Sequence, residues 1–128
     1  MNLELELNEE LQLNQQQVEF YKKNNFIKVK NVFSPELIAH FNRVITKKVN
    51  EVNQQETPLE GRDTYGKAFL QLFNLWELDE EIKKFVSSRR MAHIAAQLME
   101  VEGVRLYHDQ ALFKEAGGGI TPWHADQY

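Results

Sequence analysis

Apolar residues recur along this chain with two different spacings, and each spacing predicts a kind of element. Leu3, Leu5 and Leu7 alternate with acidic and amide residues, so residues 1–13 read either as a strand or as a loose tail. Asn14 is a capping residue ahead of a predicted helix through QQQVEFYKKN, with Val18 and Tyr21 on its apolar side. FIKVK (26–30) alternates apolar and basic positions and predicts a short strand. Ser34-Pro35-Glu36 combines a capping hydroxyl, a proline in the first turn and an acid near the positive end of a helix dipole. Behind it, Leu37, Ile38, Phe41, Val44 and Ile45 repeat at helical spacing to about Asn50, with His40 beside the stripe.

The polar stretch 53–66 reads as a loop. AFLQLFNLW (68–76) is too apolar to be exposed, and its pattern fits a buried strand or a buried helix equally. Asp79, and then Ser87 or Ser88, mark two further helix starts. The second of these helices carries Met91, Ile94, Ala95 and Leu98 on one face and ends near Gly103. His93 lies on it without an acid or second histidine at ligand spacing, which fits a packed or surface residue. VRLYHDQALFK (104–114) is the clearest strand: Val104, Leu106, His108, Gln110, Leu112 and Lys114 share one face. A glycine-rich turn (115–121) follows, and PWHADQY reads as a second strand. The chain therefore predicts an α+β fold, with a helical layer over about 14–102 laid on core strands over about 104–128, in a sandwich or barrel arrangement.

Composition narrows the function classes. The 128 residues suffice for one domain, 42% are hydrophobic, and the net charge is −4. An acidic chain with only short lysine and arginine pairs lacks the basic stripe of a nucleic-acid binder. There is no cysteine, which removes disulfides, thiol nucleophiles and thiolate metal sites and fits a cytoplasmic protein. No apolar run reaches membrane-spanning length, and the acidic start is no secretory signal.

The candidate chemistry lies at the end of the sequence. His124 and Asp126 are two residues apart, so in a strand they would share a face. The pair alone is a common coincidence, and a hydrogen-bonded surface His–Asp explains it. Its context adds weight. A glycine turn and Trp123 precede it, and the strand before the turn sets His108, Gln110 and Lys114 on one face. Polar residues on the inner face of a small barrel mark a pocket, because unsatisfied polar groups there are costly. Imidazole and carboxylate are also the ligand types of the triad that holds Fe(II) with open positions.

From about Gln15 to Tyr128 the sequence resembles the phytanoyl-CoA dioxygenase family of Fe(II)- and 2-oxoglutarate-dependent oxygenases. The stretches that carry the resemblance are QQQVEFYKKNNFIKVKNVFSPE, FLQLFNLWE, GVRLYHDQALFK and TPWHADQY. It covers only the N-terminal half or so of such a protein. It implies a double-stranded β-helix (a jelly-roll or cupin-like barrel), of which this chain holds the first strands. It also implies Fe(II) as cofactor, 2-oxoglutarate and O₂ as co-substrates, and hydroxylation of a small organic substrate. His124 and Asp126 match the first histidine and the carboxylate of the iron triad. Gln110 falls where the family places a residue against 2-oxoglutarate, and Lys114 matches a lysine recurrent before the glycine turn. His108 and Tyr128 would face the co-substrate or substrate space, and Trp123 would pack outward.

Asp126 favours hydroxylation, because the halogenating relatives lack this carboxylate. Two departures stand out. Ala125 occupies the position between the ligands where the family often has glutamine. The second histidine ligand and the 2-oxoglutarate-binding arginine have no counterpart in these residues. The expectation is therefore a polypeptide that is inactive alone and prone to self-association through open sheet edges. The competing expectations are a non-catalytic cupin-like binding module and a part that completes its barrel with another chain. No residue names the substrate.

Overall fold

The computed structural model describes residues 3–125. Ten elements follow one another. They are α1 (Leu3–Asn8), α2 (Gln15–Asn24), α3 (Pro35–Val52), a 3-10 turn (Leu59–Gly61), α4 (Thr64–Ala68), β1 (Leu70–Phe73), a 3-10 turn (Leu75–Glu77), α5 (Glu80–Val86), α6 (Arg89–Met99) and β2 (Gln110–Phe113). Helix and strand are mixed, with helix dominant. β1 and β2 form a two-stranded antiparallel sheet in which Leu70 lies opposite Phe113 and Leu72 opposite Ala111.

α3 is the spine. Its N-cap Ser34 accepts the N–H of Leu37, and Pro35 opens the first turn. Its apolar side runs through two adjoining clusters. Leu37 and Phe41 meet Leu7 of α1, with Phe33 and Phe85 packed around them. Val49 meets Leu75 and Ile82, with the sheet residues Leu70, Leu72, Ala111 and Phe113 laid against that second cluster. Ile45 touches both. Phe41 and Phe85 stack with centroids 4.7 Å apart. Ile38 departs from the predicted stripe and stays about half exposed.

The start of the chain is neither a strand nor a loose tail. Residues 3–8 form α1, and Leu7 is 2% exposed. The reason is tertiary. α6 supplies a row of side chains that take up the backbone groups of the segment. Ser88 Oγ–H donates to Leu7 O, Arg90 Nε–H to Glu9 O and Gln97 Nε2–H to Leu11 O, while Gln97 Oε1 accepts the N–H of Leu13. Arg90 also donates to Val32 O and Glu9 Oε2, and Glu6 accepts from the backbone and hydroxyl of Ser34. Alternating leucines were a poor guide because these partners lie more than eighty residues away in sequence.

Three predicted strands are corrected. FIKVK runs without regular structure, although its exposure alternates residue by residue. In 104–114 only Gln110–Phe113 pairs, because β1 offers just four residues opposite it. β1 stops at Asn74, which turns in the left-handed region with φ 56°. There Asp109 takes over: its carbonyl accepts Asn74 N–H, and its carboxylate accepts the N–H groups of Leu75 and Trp76 at 2.9 Å each. Residues 122–125, at the start of the second predicted strand, take no strand structure, and its remaining residues lie outside the described ones. The undecided stretch 68–76 resolves into the end of α4, then β1, then a 3-10 turn. The cap of α6 is Ser88, and that helix ends on Glu100 in the left-handed region rather than at Gly103.

Candidate functional site

One face of the sheet packs on α3 and α5, and the other lies open. The burial alternation of β2 places Ala111 and Phe113 inward and Gln110 and Leu112 outward. Across from them Gln71 and Phe73 share the outer face, and Gln110 Nε2–H donates to Gln71 Oε1 at 2.8 Å. His108 joins this face from the segment before β2, its ring edge-on to Phe73 at 5.7 Å. Lys114 joins it from the other end, with its ammonium 4.8 Å above the Phe69 ring. The alternation read from the sequence thus holds for His108, Gln110 and Lys114, even where regular pairing does not extend to them.

The glycine turn is fastened to α4 and the loop before it. Arg62 forks onto the Glu115 carboxylate and also donates to Thr57 O and Gly66 O. Gly119 N–H donates to Lys67 O at 2.7 Å, and Lys114 Nζ donates to Gly119 O. Gly117 takes a positive φ of 76°. At Gly118 a Cβ would lie 2.9 Å from the carbonyl oxygens of both Glu115 and Lys67, so the backbone approach requires glycine. The outcome is a turn whose exit is set by α4.

That exit carries His124. Its ring stands edge-on to Tyr65 of α4 at 6.5 Å, and its Nδ1 lies 2.8 Å from Pro122 O. A carbonyl only accepts, so Nδ1 is the donor in this contact. Metal-ligating histidines commonly anchor one ring nitrogen on a carbonyl in this way. Trp123 faces fully outward. Asp126 and Tyr128, the expected carboxylate ligand and substrate-facing residue, lie outside the described residues. Among the described residues no group of three or more His, Asp or Glu side chains is arranged to hold a metal ion.

Sequence reading missed the fasteners. Arg62 and Glu115 are 53 positions apart, and no spacing rule links them. Asp109 was visible only as a residue on the opposite face from Gln110, whereas its carboxylate caps the 3-10 turn after β1. Lys114 matched a lysine recurrent before the glycine turn, and here its ammonium closes that turn. No family model matches the chain, and neither a curated protein nor a solved structure matches it significantly.

Proposed function

We propose that this chain forms the N-terminal part of an Fe(II)- and 2-oxoglutarate-dependent oxygenase that hydroxylates a small organic molecule. In this reading the two-stranded sheet begins a jelly-roll barrel whose open face is the inner wall of the site. The observation that carries the reading is the fastened glycine turn, which links β2 and Lys114 to His124, whose Nδ1 is anchored on Pro122 O. Bound iron with 2-oxoglutarate and O₂ would supply the oxidising power. His124, together with Asp126, would hold the iron.

The remaining roles belong to this chain. Gln110 and Gln71, joined by their amide hydrogen bond, keep amide N–H groups that would donate to the carboxylate of a co-substrate. Lys114 fixes the turn and adds positive charge at the same rim, which suits a dicarboxylate. Phe73 and His108 form an aromatic wall that keeps water from the reacting carbon. The helical layer behind the sheet holds this wall rigid.

Anaerobic addition of Fe(II) and 2-oxoglutarate tests the reading. A weak visible charge-transfer band should appear, and His124→Ala should abolish it. No band in the wild-type chain, or a band unchanged in His124→Ala, would count against it.

A further inference from the structure

Among the described residues, two rows of backbone hydrogen-bonding groups have no protein partner, and they fit each other. The first is Phe26–Lys30. Its exposure alternates with the period of a strand: Phe26, Lys28 and Lys30 are exposed, and Ile27 and Val29 are half-buried. Left-handed asparagines bracket it, Asn25 with φ 61° and Asn31 with φ 56°. Among the described residues its backbone makes no hydrogen bond. The second row is the outer edge of β1, which pairs on one side only. An extended segment with free backbone groups and an open sheet edge are each a template for another strand.

The β1 edge is more than a bare strand. A cleft of about 420 Å³ runs along Leu70, Gln71 and Leu72 and is walled on the far side by Val52–Gln55. Its polar side chains are, apart from Arg62, neutral amides: Asn53, Gln54, Gln55 and Gln71. The one cation, Arg62, is already paired with Glu115. Such a lining suits uncharged main chain better than an ion. A two-stranded ribbon is also marginal by itself and gains from a third strand.

The segment cannot reach the cleft within its own protomer. It lies just before the N-terminus of α3, while the cleft lies at the C-terminus of that helix. The 18 residues of α3 span about 27 Å. The chain between them is anchored as well, with Val32 O held by Arg90 and Ser34 by Glu6. Lys30 is two residues from the first anchor, a reach of about 7 Å. The same segment of a second copy is not held away from this edge and carries the matching open row, so it is the occupant that fits.

We propose that two copies of this chain associate by strand addition, with Phe26–Lys30 of one copy laid along the outer edge of β1 of its partner. Ile27 and Val29 face the side of Leu70 and Leu72, and Lys28 lies beside Gln71. Each copy carries one segment and one edge, so a reciprocal exchange closes a two-fold dimer. The inference is independent of iron binding.

Two measurements test it. Light scattering at high protein concentration should give twice the chain mass of 15.1 kDa. Lys28→Pro and Val29→Pro, each removing one backbone N–H from the segment, should return the mass to that of one chain with unchanged helical circular dichroism. Because the chain has no cysteine, mixing Lys28→Cys protein with Gln71→Cys protein gives a clean second readout. Oxidation should yield a crosslinked pair, and a Lys84→Cys control mixed with Gln71→Cys should not. A wild-type chain monomeric at every concentration, a dimer that survives both prolines, or equal crosslinking in the control would overturn the proposal.

Discussion

Asp79 and Glu81 fasten the start of α5 to α3 through charge. Asp79 caps α5 through the N–H groups of Glu81 and Ile82 and meets Lys48 of α3 at 3.4 Å. Glu81 accepts from His40 Nε2 at 3.1 Å and pairs with Lys84. Burial works against ionisation of Asp79, but the backbone hydrogen bonds from Ile82 and Glu81, with Lys48, outweigh it and hold the carboxyl below its ordinary 3.8. The hydrogen bond from His40, followed by Lys84, holds Glu81 below its ordinary 4.5. Both groups therefore release their protons more readily when the chain is folded. The stability they supply is complete above about pH 4.5 and is lost as pH falls through the lower folded values. Urea midpoints measured across that range should fall on acidification, and Asp79→Asn with Glu81→Gln should flatten the fall. An unchanged acid limb in the double variant would contradict this assignment.

Among the elements, those with local signals were legible. Asn14, Ser34 and Asp79 announced their helices because a cap acts within three residues of itself. The shared face of His108, Gln110 and Lys114 also followed from periodicity, but the expected order of helices first and strands after fails at β1, which lies between α4 and α5 because its pairing partner is supplied from about forty residues further on. Illegible were α1, whose backbone is satisfied by Ser88, Arg90 and Gln97, and the end of β1, which is set by Asp109 from across the sheet. The glycine turn was visible as a turn, but not its fastening to Lys67 and Arg62. That fastening makes a prediction. Gly118→Ala must push apart two backbone carbonyls, which costs about 2 kcal/mol. It should also displace His124 and weaken the iron and 2-oxoglutarate band by more than the lost stability explains. Unfolding titrations with the band intensity at full folding separate the two effects, and an unaltered band would mean that the turn does not position the histidine.

At the scale of the molecule, the two hydrophobic clusters form a continuous layer along α3, with α1 closing one end and the sheet the other. A detachable tail would contribute nothing to that layer. Leu7, buried against Leu37 and Phe41, should therefore cost about 3 kcal/mol when replaced by alanine, measured by chemical denaturation. A loss near zero would return residues 3–8 to the status of a tail. The layer also explains why the other face of the sheet stays open: everything apolar and large in β1 and β2 except Phe73 and Leu112 is spent on the helical side.

The central claim is that the outer sheet face and the glycine turn together bind a metal with 2-oxoglutarate. Paramagnetic line broadening tests it most directly, with Mn(II) as the probe and the isotope-labelled full chain in the presence of 2-oxoglutarate. The account predicts broadening concentrated on the amides of His108, Gln110, Lys114 and His124, and lost in His124→Ala. Broadening spread over the acidic helices instead, and indifferent to that substitution, would contradict it.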